Sequence, residues 1–244
     1  MPRLSIVIPV KNEEKMLPKL LESIASQTFK DYEVIVADAH STDQTVDVAK
    51  RYGAKIVAGG MPGPGRNKGA LHAQGEVIAF LDADVQLPSP KFLQDCIAEM
   101  DRKRLDVATC KVKPLSRKPI DRALHEVYNA YVIATEKIRP HAPGFCILVR
   151  RHTHEAIQGF DEQVVFAEDH EYVQRAKKKG YAFGLLRSHP IKVSVRRLEK
   201  DGRLVIALKF IFCELRVMAK GAITEMPFEY EMGGEDENSQ KSKV

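Results

Sequence analysis

The sequence predicts an α/β protein built on a doubly wound, mostly parallel sheet flanked by helices. Short apolar, β-branched runs alternate with segments of helical periodicity through the first half of the chain. Polar or glycine-rich segments follow directly after these runs, as is typical of sheets whose ligands bind at the carboxyl ends of the strands. The length of 244 residues is sufficient for two halves around one such sheet.

The first strand and helix units carry the clearest patterns. Residues 4–10 form a continuous apolar run, which is expected of a parallel strand covered on both faces. Leu17, Leu20, Leu21 and Ile24 then recur at helical spacing. A second strand is expected at residues 33–37. A second helix is expected to follow a cap within residues 41–43, to run through Tyr52 and to stop at Gly53.

The later elements continue this alternation and become less regular in the second half. Further strands are expected at residues 55–58 and 76–81, near Val107, and at residues 145–149, 181–186 and 191–195. Helices are expected around Ala70 and Ala73 and at residues 89–103, 120–138 and 168–179. Residues 59–65 are rich in glycine and are expected to form a turn before the third helix.

The composition limits the classes of partner and compartment. A net charge of +5 suits a partner that carries phosphates, but the scattered positions of the charges do not indicate nucleic-acid binding. None of the four cysteines forms a Cys-x-x-Cys pair, which favours a reduced, cytoplasmic protein. The amino terminus lacks an apolar signal segment, and no stretch approaches the roughly 20 apolar residues of a spanning helix.

Two acidic residues one position apart follow the strand expected at residues 76–81. Asp82 and Asp84 would repel each other unless a cation lay between them, and their oxygens together with a substrate diphosphate suit Mg²⁺ or Mn²⁺. Gln86 and His189 are further candidate ligands of the metal. A solvated turn with capping acids would leave the same pattern, so the pair alone does not distinguish the two interpretations.

Other polar residues at strand ends and helix starts are candidates for binding or catalysis. Asp38 ends a strand and can accept a hydrogen bond from a nucleotide base, while Arg66 follows the glycine-rich turn and can meet a base or phosphate. Glu168 and Asp169 lie at the start of a predicted helix. Asp169 is a candidate general base, but acids are also common at this position because the helix dipole favours them. The basic candidates for phosphate contact are Arg117, Arg196 and Arg197.

Several of these sites occur in the order found in one enzyme family. The matching segments are SIVIPVKNE at residues 5–13, EVIVADAHSTDQT at 33–45, GRNKG at 65–69, IAFLDAD at 78–84, and a block at 159–181 that contains GFDE, ED and GY. Together they resemble the family 2 glycosyltransferases of the GT-A fold, over roughly the first 185 residues. Five elements in order are far more specific than any one of them.

The resemblance implies a reaction and a set of residue roles. A sugar would pass from a nucleotide diphosphate sugar, with UDP favoured and GDP as the rival, to a hydroxyl of a glycan or lipid-linked acceptor. The anomeric carbon would be inverted with the help of Mn²⁺ or Mg²⁺. The residues implied for donor binding are Pro9, Val10, Asn12, Glu13, Asp38, Arg66, Asp82 and Ala83. Asp84 would join Asp82 on the metal and Asp169 would be the base. Gly144 and Glu168 are candidates on the phosphate or acceptor side.

The chain is expected to divide into four segments. Residues 1–110 would form the nucleotide-sugar half, 111–202 the acceptor half, 203–232 a C-terminal helical segment and 233–244 a polar, disordered tail. Lys209, Arg216 and Lys220 fall on one face of the predicted C-terminal helix. That face is compatible with a peripheral contact to the cytoplasmic face of a membrane, and equally with a helix that packs in the core or in a dimer.

Two departures from the family pattern leave alternatives open. Ala39 stands where the second strand of the family usually ends in another acid. A Gln-x-x-Arg-Trp motif is absent because the chain has no tryptophan, which favours a single addition over polymerisation. The Asp-Ala-Asp-Val-Gln segment also resembles polyprenyl-phosphate sugar synthases, in which a phosphate bound by arginines is the nucleophile. A third alternative, supported by Ala39, is a nucleotide-sugar-binding subunit without catalysis.

Overall fold

One mixed sheet organises the chain in the computed structural model, which describes residues 1–225 apart from the side chains of Met218 and Lys220. Its strands are β1 (Leu4–Val10), β2 (Tyr32–Asp38), β3 (Lys55–Ala58), β4 (Val77–Leu81), β5 (Val85–Gln86), β6 (Val107–Pro114), β7 (Cys146–Arg150) and β8 (Phe183–Val193). Their order across the sheet is β3-β2-β1-β4-β7-β6-β8-β5. The predicted tail at 233–244 and the end of the predicted 203–232 segment lie outside the described residues.

Helices connect these strands and cover the sheet. They are α1 (Leu17–Ala25), α2 (Thr45–Arg51), α3 (Pro62–Ala70), α4 (Phe92–Arg102), α5 (Pro119–Thr135), α6 (Arg151–Ala156), α7 (Glu168–Lys178), α8 (Arg196–Lys200) and α9 (Arg203–Lys220). In the first half each crossover returns the chain in parallel, so that β1 pairs with both β2 and β4, and β2 pairs with β3. The predicted α/β class with a mostly parallel sheet is confirmed.

The core consists of two apolar clusters, one on each face of the sheet. Successive side chains of β1 alternate between them, with Ile6 and Ile8 in the cluster that includes α1 and α4, and Val7 in the cluster that includes α7. All three side chains are fully buried. The continuous apolar run in the sequence therefore reflects a strand with both faces covered rather than an alternating strand with one wet face.

The directions of the strands bring several carboxyl ends to one edge of the sheet. Strand β7 is antiparallel to β4 and to β6, so β6 runs in the same direction as β4. Strand β8 is parallel to β6 and therefore points the same way. The segments that follow β1, β2, β4, β6 and β8 consequently lie along the same edge as the segment that precedes β7.

The glycine-rich segment differs from the prediction. Residues 59–65 do not form a turn throughout, because helix α3 already begins at Pro62, and proline is favoured in the first turn of a helix. A side chain at Gly69 would collide with Val7, so the helix packs with its backbone close to β1. The helix predicted around Ala70 and Ala73 therefore starts and ends earlier than expected.

Two further differences concern the second half of the chain. The strands predicted at 181–186 and 191–195 form the single strand β8, whose register against β6 is irregular between Cys110 and Val112. The short elements β5, α6 and α8 were not predicted, since none is long enough to show a period. All four cysteines are unpaired and buried. No helix in the described part of the chain is long and apolar enough to cross a membrane.

Candidate active site

The two acids that follow β4 flank a buried residue at the shared sheet edge. Ala83 is 4% exposed, whereas the side chains of Asp82 and Asp84 are 31% and 15% exposed. The backbone carbonyl of Asp84 accepts a hydrogen bond from the amide of Ser194 at 3.1 Å, directly after β8. The end of β8 thus fixes the turn that presents both carboxylates to the cleft.

Arg196 joins the first and last segments of this cleft. Its Nη1 donates a hydrogen bond to Oε2 of Glu13 at 2.8 Å, and its Nε lies 3.3 Å from Oδ2 of Asp84. Burial raises the pKa of Asp84 to about 6, with the carboxylates of Asp82 and Glu13 acting in the same direction and Arg196 opposing them. Burial likewise raises the pKa of Glu13, whose side chain is 5% exposed.

Arg66 is buried between two carboxylates from different elements. Its Nη2 donates to Oδ1 of Asp82 at 2.8 Å and its Nη1 donates to Oε1 of Glu168 at 2.7 Å. The guanidinium is 2% exposed and lies over the ring of Phe160, 5.4 Å from its centroid. Burial alone would lower the pKa of Arg66, but Asp82 and Glu168 outweigh it and raise that pKa. Two of the guanidinium nitrogens of Arg66 are thus already bound by carboxylates, and the nucleotide contact that the resemblance implies stays a prediction.

Gly144 brings the acid at the start of α7 against this cluster. Its amide donates a hydrogen bond to Oδ2 of Asp169 at 2.6 Å, while Oδ1 of Asp169 accepts one from the amide of His170 at 2.8 Å. A side chain at Gly144 would collide with the guanidinium of Arg66 and would lie 3.4 Å from Asp82. The segment before β7 therefore links Asp169 to the acids after β4 through backbone contacts that only glycine permits.

The start of α7 also shows local backbone strain. Ala167, directly before Glu168, has a φ of 58°, in the left-handed region that residues with a side chain rarely adopt. Burial and the adjoining Asp169 raise the pKa of Glu168, and Arg66 opposes this effect. The pair at 168–169 is thus held by specific contacts on both sides rather than placed as solvated helix-capping acids.

The donor atoms at the cleft are suited to a divalent cation. Within residues 1–225 no group of three or more His, Cys, Asp or Glu side chains is arranged to hold a metal by itself. Asp82 and Asp84 supply carboxylate oxygens, which Mg²⁺ and Mn²⁺ prefer, and phosphate and water oxygens commonly complete such a shell. Five carboxylates gather here. Four of them contact Arg66 or Arg196, namely Glu13, Asp82, Asp84 and Glu168, and the fifth, Asp169, contacts the amide of Gly144. The excess of negative charge also favours a cation.

The loops after β1 and β2 form the other side of the cleft. The amide of Asn12, a residue with a φ of 52°, donates to Oγ of Ser41 at 2.9 Å, and its side-chain oxygen accepts from the amide of Thr42 at 2.8 Å. Asp38 accepts from the amide of Ser41 at 3.2 Å. Pro9 and the buried Val10 end β1 beside these loops, and the buried Ala39 follows β2. These contacts hold Asp38 and Asn12 at the shared edge.

The remaining predicted residues have no described hydrogen bond or ion pair with the acids after β4. His189 hydrogen-bonds to Asp95 on α4 through Nε2 at 2.8 Å, and the described contacts of its ring join it to α4 rather than to Asp84. These contacts give no support to His189 as a metal ligand, and that role stays a prediction. Gln86 lies in β5 opposite Lys192, and Arg117 is exposed after β6. Arg197 is exposed next to Arg196, close enough for its charge to lower the pKa of Asp84.

A buried network behind Asp169 was missed by the sequence analysis. His141 is fully buried, and its Nε2 lies 3.1 Å from the hydroxyl of Tyr131 and 3.2 Å from Oε2 of Glu214 on α9. The rings of His141 and His170 meet edge to face at 4.9 Å between centroids. No sequence motif marks this network, because its members lie up to 83 residues apart and carry no common spacing.

Comparison with known proteins supports the family resemblance. Residues 5–157, more than half of the chain, match the model of glycosyl transferase family 2. The poly(ribitol-phosphate) β-N-acetylglucosaminyltransferase TarS of Staphylococcus aureus is 31% identical over 134 residues, which cover 51% of this chain and 23% of that relative. The chain therefore matches less than a third of the length of this much longer protein.

Solved structures share the fold. The structure of S. aureus TarS in complex with UDP-GlcNAc matches with a TM-score of 0.65 and 25% identity, covering 79% of this chain and 58% of that one. A mannosyltransferase from Pyrobaculum calidifontis in complex with GDP-Man and Mn²⁺ matches with a TM-score of 0.66 and 22% identity, covering 80% and 57%. These similarities confirm the predicted GT-A fold.

Proposed function

The chain belongs to glycosyltransferase family 2, and from the geometry of its cleft we propose that it transfers one sugar from a nucleotide diphosphate sugar to a hydroxyl acceptor, with inversion of the anomeric carbon. The observation that carries this proposal is the contact chain from the acids after β4 to the acid that opens α7. Asp82 contacts Arg66, Arg66 contacts Glu168, and the neighbouring Asp169 contacts Gly144, which itself adjoins Arg66.

In this proposal some residues of the cleft bind the donor and others act on the acceptor. Asp38 and Asn12, which the loop contacts hold at the shared sheet edge, would contact the base and ribose of the donor. Asp82 and Asp84 would hold a divalent cation, which supplies Lewis-acid neutralisation of the departing diphosphate. Asp169 would accept the proton of the attacking hydroxyl, and the two amides that it binds fix its orientation towards the cleft. Arg66 keeps Asp82 and Glu168 in place.

UDP is the nucleotide that we favour, with GDP as the rival. The support comes from TarS, whose structure at 25% identity contains UDP-GlcNAc, and whose name describes a polymeric acceptor with hydroxyl groups. The acceptor proposed here is accordingly a hydroxyl of a glycan or of a lipid-linked glycan. A phosphate acceptor, as in polyprenyl-phosphate sugar synthases, has one feature in its favour, since the exposed Arg117 follows β6 at the same sheet edge.

The experiment that tests the proposal is calorimetric titration of the protein with UDP, GDP and CDP, each with and without Mn²⁺. We expect metal-dependent binding of one nucleotide, and loss of that binding in Asp84→Ala. The matched control is Asp47→Ala, which removes an exposed aspartate of α2 outside the cleft and is expected to bind as the wild type does. Absence of binding under every condition would contradict the proposal and favour the subunit without catalysis.

A further inference from the structure

Helix α9 carries a different apolar surface on each of two faces. On its inward face, Phe210 meets the rings of Tyr128 and Tyr131 at 5.7 Å and 6.1 Å between centroids, and Cys213 is 4% exposed. Glu214 on the same face contacts the buried His141. These contacts cover the side of the helix that packs on α5, and they leave other apolar residues of α9 outside the core.

The outward face carries a continuous apolar stripe. Its members, with their exposed fractions, are Leu204 72%, Val205 45%, Leu208 56%, Ile211 53%, Phe212 52% and Leu215 61%. Leu204, Leu208, Ile211 and Leu215 follow the spacing of one helix face, and the other two lie beside them. A row of large exposed side chains on a single helix is more than the scattered apolar residues of an ordinary surface, and it indicates a site of contact.

Positive charge borders this outward stripe. Lys209 and Arg216, seven residues apart, lie on one flank of the helix, between the stripe and the inward face. Lys209 also lies 3.6 Å from Asp201. The adjoining helix α8 adds Arg197 and Lys200, both on exposed positions, and the whole chain has a net charge of +5. An apolar stripe with a basic border is complementary to a surface that has both a hydrocarbon layer and negatively charged groups.

We propose that the outward stripe of α9 docks on a lipid membrane that contains anionic headgroups. The helix would lie in the plane of the interface, since it is interrupted by Lys209, Glu214 and Arg216 and is not apolar enough to span a bilayer. A second copy of the chain fits the stripe less well. Two-fold pairing would bring two basic flanks together, and six side chains fall short of the roughly 20–30 residues a side in a stable interface.

The position of α9 connects this docking surface with the cleft. Arg196 contacts Glu13 and Asp84 from the first turn of α8, and the stripe begins at Leu204, directly after the short turn that follows α8. A membrane that contacts the stripe therefore lies close to the acids of the cleft. This consequence rests on the proposed function, and under it the acceptor hydroxyl belongs to a lipid-linked molecule.

The docking proposal is tested by flotation of the full chain with vesicles of phosphatidylcholine, with and without phosphatidylglycerol. We expect binding to the anionic vesicles, weaker binding at high salt, and a loss of roughly tenfold or more for each of Leu208→Asp and Leu215→Asp. Arg216→Glu is expected to weaken binding by at least roughly fivefold. The control is Leu71→Asp, which alters an exposed leucine after α3 and is expected to bind vesicles as the wild type does.

Several outcomes would overturn the proposal. The first is that the wild-type chain floats with neither kind of vesicle. The second is that it floats equally with neutral and anionic vesicles. The third is that the stripe variants float as well as the wild type. A wild-type dimer that the stripe variants dissociate, without any flotation, would assign the stripe to a second copy. Circular dichroism of each variant is the check that the variant is folded. Asp84→Ala, which should lose nucleotide binding, is expected to keep vesicle binding, so failure of the transfer proposal is distinguishable from failure of docking.

Discussion

Arg196 and Glu13 form an ion pair across 183 residues of sequence, with Nη1 of the arginine 2.8 Å from Oε2 of the glutamate. The same guanidinium lies 3.3 Å from Asp84, so one side chain after β8 contacts both the loop after β1 and the acids after β4. The pair thereby closes the cleft in which the proposed donor site lies. It also explains why burial of Glu13, at 5% exposure, is tolerated.

The first prediction concerns this pair. Arg196→Met is expected to lower turnover about 10- to 100-fold, because a hydrogen bond between charged groups contributes about 1.5–3 kcal/mol and because Glu13 would be left buried without its partner. The measurement is steady-state transfer with the nucleotide sugar identified by calorimetry. Arg102→Met, at an exposed position in α4, is the matched control and should be unchanged. Full turnover in Arg196→Met would show that the pair is dispensable.

The second prediction concerns the proposed base. Asp169→Asn is expected to lower kcat by about 10²- to 10⁴-fold while leaving nucleotide affinity unchanged, because the described hydrogen bonds of its side chain come from the amides of Gly144 and His170 and not from the loops after β1 and β2. Asp161→Asn, an exposed position in the preceding loop, serves as the control. A variant at position 169 that retains its kcat with a phosphate acceptor would favour the polyprenyl-phosphate alternative, since an ionised phosphate needs no base.

The third prediction concerns Gly144. Gly144→Ala is expected to destabilise the protein by about 1–3 kcal/mol and to reduce transfer, because the added methyl group would collide with the buried guanidinium of Arg66. Gly63→Ala in α3 is the matched control, since its new methyl group would meet Glu168 at an ordinary distance of 3.5 Å. Alanine also forms helix better than glycine, so the control is expected to be neutral or more stable. Thermal unfolding measures both, and equal melting temperatures would contradict the prediction.

The fourth prediction concerns the contact that holds the start of α9. The hydrogen bond from Arg203 lowers the pKa of the buried Asp121 from its usual 3.8 to about 2. Since the folded-state pKa is the lower one, the unfolded chain binds more protons between these values, and the stabilising contribution of the pair is lost as the pH falls from about 4 to about 2. It is fully present at pH 7.

Urea unfolding at a series of pH values tests this fourth prediction. Asp121→Asn is expected to have a lower midpoint than the wild type at neutral pH, and the difference between the two should shrink as the pH approaches 2. Asp47→Asn, an exposed aspartate of α2, should follow the wild type at every pH. A difference between Asp121→Asn and the wild type that does not change with pH would show that the carboxylate of Asp121 keeps its usual pKa.

Much of the fold and part of the candidate site were predictable from local patterns. Strand β1 has the bounds that its apolar run predicts, and the positions of Asp82, Asp84 and Asp169 at a strand end and a helix start follow from the same patterns. Helix α3 begins earlier in the sequence than predicted. Its glycine and proline residues do not indicate a helix, because the stability of this helix comes from its packing on β1. The roles assigned to the site residues stay proposals.

The sequence by itself determined most of the strand and helix units, the α/β class and the family, because hydrophobic periodicity and short motifs are properties of neighbouring residues. Only the tertiary structure decided that β7 runs antiparallel, that Arg66 is buried between Asp82 and Glu168, and that Arg196 reaches Glu13. The physical reason is that these contacts depend on the order and direction of strands in the sheet. Residues far apart in the chain become partners there, and no local pattern records that order.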